Sequence, residues 1–115
     1  EYDATISDFQ DLASQLNVPF AKGSNILDFH GLVKSSMADI ALSINYTGVI
    51  PSAIIDLFKY GILNAHGGDL PRYRGNACQA WAIINGEDEI GLCIHKMVGG
   101  ELDSGDIVEK KLYPI

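Results

Sequence analysis

Apolar residues recur with two different periods along the chain, and the periods alternate. Phe9, Leu12, Ala13 and Leu16 fall at i, i+3, i+4 and i+7, the stripe of an amphipathic helix. Ser7 is placed to cap that helix and Asn17 to end it. Residues Val18 to Ala21 read as a short strand. A second helix is expected from Asp28 as cap, with Phe29, Leu32, Val33 and Met37 on one face. Ile40-Ala41-Leu42-Ser43-Ile44 is almost wholly apolar, as suits a central strand covered on both faces. Pro51 and Gly61 mark the start and stop of a third helix carrying Ile54, Ile55, Leu57 and Phe58. Ile62 to His66 is the next strand. A fourth helix over 77–85 is apolar nearly all round and is expected to be well buried, with Trp81 in the core. Leu92 to Met97 and Ile107 to Leu112 are the last two strands.

Alternating strands and helices predict an α/β fold, a Rossmann-like and mostly parallel sheet with helices on both faces. The last two strands are joined by the Gly-rich stretch Gly99 to Gly105, too short for a parallel crossover. They should form an antiparallel pair at the C-terminal end. A doubly wound fold ordinarily opens on a strand, whereas this chain opens on a helix. The expectation is therefore a partial domain over 1–115, without its first strand–helix–strand unit.

Composition narrows the partners. The 115 residues include 15 acids and 8 bases, a net charge of −7. That balance disfavours broad binding to nucleic acid or anionic membranes, though a local basic cluster can still hold a phosphate. Apolar residues make up 47% of the chain, enough for one core, yet no run is long enough to span a bilayer. Cys78 and Cys93 stand in neither metal-ligand nor disulfide-framework spacing and read as buried, reduced thiols. With no charged-then-apolar leader in the sequence, the expected location is the cytoplasm, and the glycosylation-like Asn45-Tyr46-Thr47 is read as coincidence.

Candidate chemistry gathers after the strand that starts at Ile62. Open α/β sheets bind ligands beyond the carboxyl ends of their strands. Asn64 and His66 stand at that end, two residues apart, so they point to one face. A carboxamide and an imidazole closing an apolar strand are costly to bury unless they are used or hydrogen-bonded. The irregular stretch Gly67-Gly68-Asp69-Leu70-Pro71-Arg72-Tyr73-Arg74-Gly75 follows. On spacing alone, a turn-forming Asn and a satisfied His explain the pair better than catalysis does.

The longer pattern changes that reading. Residues Asn64 to Gly75 resemble the signature of the formyltransferase family that uses 10-formyltetrahydrofolate. The resemblance runs on through Trp81 to Gly86 and Gly91 to His95. It closes on Glu101-Leu102-Asp103-Ser104-Gly105-Asp106-Ile107, which is similar to the family's second signature. It covers the chain from about Ile40 to the end. It implies a formyltransferase with catalytic Asn64, His66 and Asp103, and 10-formyltetrahydrofolate as donor. It also implies a folate pocket that includes Thr47, Val49 and Asp103, and no metal. Asn64 suits hydrogen bonding to an oxyanion, His66 suits proton transfer, and Asp103 suits orienting the imidazole.

Other residues are assigned lesser parts. His95 is expected to support the site rather than react. His30 is read as a surface residue. Arg72 and Arg74 suit either a substrate phosphate or bracing of the loop.

The wording Gly67-Gly68-Asp69 and Asn76-Ala77-Cys78 is most similar to sugar N-formyltransferases, which implies a nucleotide-linked amino sugar as acceptor. Methionyl-tRNA is the alternative acceptor, and a non-catalytic folate-binding module is the alternative outside enzymes. A homo-oligomer is compatible with either.

Overall fold

The structure is a computed structural model and describes residues 3–115. Four strands hydrogen-bond in the order of the chain: β1 (Ala41–Ile44), β2 (Ile62–His66), β3 (Glu89–Lys96) and β4 (Ile107–Pro114). β1 and β2 are parallel, with Ala41 opposite Ile62 and Ile44 opposite Ala65. β3 lies antiparallel to β2, and β4 antiparallel to β3. The α/β, Rossmann-like reading and the C-terminal antiparallel pair both hold. Antiparallel pairing begins one strand earlier than expected, so the sheet is mixed rather than mostly parallel.

The helices explain why. α3 (Ser52–Ile55) belongs to a connection long enough to carry the chain back to the start of β2, which gives the parallel pair. After β2 the irregular loop and α4 (Cys78–Ile84) stay at the carboxyl end of that strand. The chain re-enters the sheet there and must run the opposite way. His66 then lies opposite Cys93, and Asn64 opposite His95.

The main apolar cluster is built from Ile50, Ile54, Ile55 and Ile62, with Ile26, Ala41, Leu57, Phe58 and Met97 packed against it. α3 is only one turn long, and Pro51 is its N-cap rather than its first residue. Gly61 ends the connection with φ +73°, a value that glycine adopts without Cβ strain.

Several local expectations are corrected. α1 (Ile6–Gln15) is capped by Thr5, not Ser7: the Thr5 N–H and hydroxyl both donate to Asp8, at 2.6 and 2.7 Å. Asn17 does end that helix, at φ +53°. The apolar stripe of α1 is left open, with only Ala13 buried, because the helix makes no broad contact with the sheet.

Residues 18–21 form no strand; the sheet is made of β1 to β4 and does not include them. The Asp28 segment is a short 3₁₀ turn (Ile26–Phe29), capped by Asn25, and α2 (His30–Ser36) starts after it. Met37 ends α2 at φ +50° and is 87% exposed, so it leaves the helical face it was assigned to.

Two burial expectations also fail. Trp81 is 56% exposed, because two-turn α4 turns only Cys78 and Ala82 inward. Leu42 is 72% exposed, because no helix makes broad contact with β1 on its face and just Ser43 is buried from that strand. No helix among the described residues is long and apolar enough to cross a membrane.

Gly91 holds the loop after β2 against β3. A Cβ there would lie 2.5 Å from the Asp69 Cα and 2.6 Å from its N, both backbone atoms that cannot swing aside. Gly31, in α2, has open space around it. Gly91→Ala should destabilise the fold by about 1–3 kcal/mol through overpacking. Gly31→Ala should be neutral or stabilising by up to about 1 kcal/mol through helix propensity. Urea unfolding of both variants measures the contrast, and equal stabilities would refute this view of Gly91.

Candidate active site

The alternation of β2 puts Asn64 and His66 on one face, and pairing with β3 adds Cys93 and His95 to it. The loop that joins β3 to β4 folds over this face and delivers Asp103. Its carboxylate sits between two imidazoles: Oδ2 is 3.5 Å from His66 Nδ1, and Oδ1 is 3.4 Å from His95 Nε2. The Gly75 N–H donates to Oδ2 at 2.8 Å, tying in the loop after β2. All three side chains are at least nine-tenths buried. The structure thus brings Asp103 to Asn64 and His66, from which it is far removed along the chain.

Backbone carbonyls fix the remaining ring nitrogens. His66 Nε2 is 2.7 Å from the Tyr73 carbonyl oxygen, and His95 Nδ1 is 2.9 Å from that of Lys96. A carbonyl only accepts, so each of these nitrogens carries hydrogen. The other nitrogen of each ring faces Asp103. The two rings meet edge to face, with centroids 6.2 Å apart. Asn64 Nδ2 lies 3.2 Å from His95 Nε2. Gly68 makes this packing possible, since a Cβ there would stand 2.5 Å from His66 Nε2 and 2.6 Å from the Tyr73 oxygen.

A cleft of about 270 Å³ opens beside the cluster. Asn64, His66 and Asp103 line it, and so do Thr47 and Val49 on the segment after β1. Cys78 lines it as well, a residue read from the sequence only as a buried thiol. Its Sγ contacts His66 Nε2 at 3.5 Å and the Gly75 carbonyl at 3.2 Å. Burial, and then the nearby Asp103 carboxylate, push its pKa up and keep it a neutral thiol. Nothing in its spacing marked it; only the approach of the first residue of α4 to His66 does. Both cysteines are free and buried. His30 is exposed on α2, as read.

The arginines divide. Arg72 forms an ion pair with Glu87, which also accepts from the Tyr73 hydroxyl at 2.8 Å. Lys110 on β4 donates to Asp69 at 2.8 Å and to the Leu70 carbonyl at 3.2 Å. These contacts hold the loop after β2 from its outer side, and Arg72 braces it. Arg74 is exposed and is not among the cleft-lining residues.

Residues 21–115 match the family described as formyl transferase. The chain belongs to the formyl transferase family. It is 44% identical over 77 residues to a methionyl-tRNA formyltransferase of Citrifermentans bemidjiense, covering 67% of this chain and 24% of that protein. Among solved structures, a formyltetrahydrofolate deformylase from Pseudomonas syringae superposes with a TM-score of 0.78 at 22% identity, over 95% of this chain and 39% of that one. A protein of Mycobacterium tuberculosis described as a likely sugar N-formyltransferase gives 0.68 at 23% identity, over 95% and 50%. The structural likenesses speak to the fold alone. This formyl transferase chain spans about a quarter to a third of the length of the curated relatives it matches.

The Glu87 carboxyl is held below the ordinary carboxylate range, first by the Tyr73 hydroxyl and then by Arg72. A depressed folded-state pKa stabilises the fold above the unfolded value, and that contribution is lost as pH falls through the folded one. Tyr73→Phe should therefore raise the Glu87 titration midpoint towards its ordinary value. Carboxyl-carbon NMR titration reads this directly, and an unmoved midpoint would refute the assignment.

Proposed function

We propose that the protein transfers a formyl group from 10-formyltetrahydrofolate to a primary amine. The observation that carries this reading is the convergence of Asn64, His66 and Asp103 at one cleft within a chain of the formyl transferase family. The donor supplies an activated formyl carbon. The cleft fits it in chemical character, since amide, imidazole and carboxylate groups line it together with the segment from Asn45 to Val49. Thr47, Val49 and Asp103 are the residues assigned to the folate.

The chain's own groups divide the work. As the amine attacks, negative charge grows on the formyl oxygen, and the amide of Asn64 donates to it. The amine must lose a proton and the folate nitrogen must gain one. His66 is the group assigned to that exchange. Its Nδ1 faces Asp103, so a proton taken there is held by a hydrogen bond to the carboxylate. Asp103 thereby orients the ring and offsets the charge of the imidazolium.

Two acceptors each have an observation in favour. The wording of the loop, Gly67-Gly68-Asp69 and Asn76-Ala77-Cys78, favours the amino group of a nucleotide-linked sugar. The relatives at 35–45% identity are methionyl-tRNA formyltransferases, which favours methionyl-tRNA. Turnover of amino-sugar nucleotides and of charged initiator tRNA, side by side, separates the two. A non-catalytic folate-binding module would bind a stable folate analogue in calorimetry and turn over neither.

Asn64→Ala should lower kcat/KM by about 10²–10³-fold, the usual loss of one oxyanion donor. Asp103→Ala should also cause a large loss, while folate-analogue binding by Asn64→Ala persists. Formyl transfer that survives both substitutions would overturn the mechanism.

A further inference from the structure

His95 stands directly opposite Asn64 in the β2–β3 pairing and is 1% exposed. Its Nδ1–H is committed to the Lys96 carbonyl at 2.9 Å. In the neutral ring that leaves Nε2 as an acceptor. The Asn64 amide nitrogen lies 3.2 Å from that lone pair. A carboxamide at a cleft wall has two orientations, differing by half a turn about its last bond. One offers N–H to the cleft and the other only a carbonyl oxygen, which would repel a developing oxyanion. Only the NH₂ end can donate to Nε2.

We propose that His95 is a positioning residue for formyl transfer: by accepting one hydrogen of the Asn64 NH₂ group at Nε2, it fixes the amide and leaves the second N–H for the formyl oxygen. This rests on the reading of the site as a formyltransferase centre. The backbone carbonyl of Lys96 is the element that sets the tautomer, and burial keeps water from competing for either nitrogen. Asp103 Oδ1, at 3.4 Å from the same Nε2, is the competing partner. It would capture Nε2 only if that nitrogen carried a hydrogen. The hydrogen on Nδ1 is therefore what keeps His95 turned to Asn64 rather than to Asp103.

The test pairs spectroscopy with kinetics. Long-range ¹H–¹⁵N spectra of the purified protein should show His95 with hydrogen on Nδ1 and an unprotonated, hydrogen-bonded Nε2. His95→Phe keeps a planar ring but has no acceptor. It should lower kcat by about 10- to 100-fold, part of the loss expected for a whole oxyanion donor, with KM for donor and amine within about twofold. His95→Gln, which offers an acceptor again, should recover at least about fivefold of that loss in kcat.

A hydrogen found on Nε2 overturns the proposal even if His95→Phe fails to fold. So does a His95→Phe enzyme with unchanged kcat, or a loss confined to KM. A protein that transfers no formyl group to any acceptor refutes the reading beneath it, a result distinguishable because the ring-nitrogen spectrum needs no turnover.

Discussion

The carboxylate of Asp103 is the tie on which the site depends. It joins His66 of β2, His95 of β3 and the N–H of Gly75, so two strands and two loops converge on one pair of oxygens. A buried carboxylate without partners would be costly to desolvate. Here one backbone donor and two imidazoles meet it, and each imidazole has its far nitrogen anchored to a main-chain carbonyl. Both rings are held in orientation by the sheet and its loops, and the other nitrogen of each faces the same carboxylate.

Backbone strain is concentrated at the same place. Asn45, Ala77 and Asp103 all have positive φ between +47° and +55°, and all three line the cleft. Residues with side chains in the left-handed region cost about 1–3 kcal/mol each and persist only where surrounding structure imposes them. Asp103 is imposed by its three partners. Ala77 lets the chain turn sharply from the loop into α4, which sets Cys78 beneath His66. The outer face of the loop is secured separately, through Arg72, Glu87, Tyr73 and Lys110. None of these braces is among the residues that line the cleft.

The distribution of apolar surface reflects which elements hold this centre. The isoleucine cluster of α3 and β2 fixes the base of the strand that carries Asn64 and His66. The stripe of α1 and the outer side of α4 stay exposed and contribute nothing to it.

Much was legible in the residues themselves. Local patterns place α1, the short α3 after Pro51, α4 and all four strands of the sheet, because period and turn chemistry act within a few residues. The same-face placement of Asn64 and His66 follows from strand alternation alone. The long match from Asn64 to Gly75, joined to the stretch around Asp103, is enough to point to formyl transfer.

Tertiary structure decided the rest. The direction of β3 depends on where α4 leaves the chain, which no local pattern encodes. The exposure of Trp81 and Leu42 depends on which face meets a partner, and apolarity alone does not specify one. Residues 18–21 had the composition of a strand but are not paired into the sheet. Above all, the meeting of Asp103 with His66 and His95, and of His95 with Asn64, exists only once β2 and β3 pair and the following loop folds across them. Sequence named the chemical groups because residue type is local, whereas their contacts are long-range and belong to the fold.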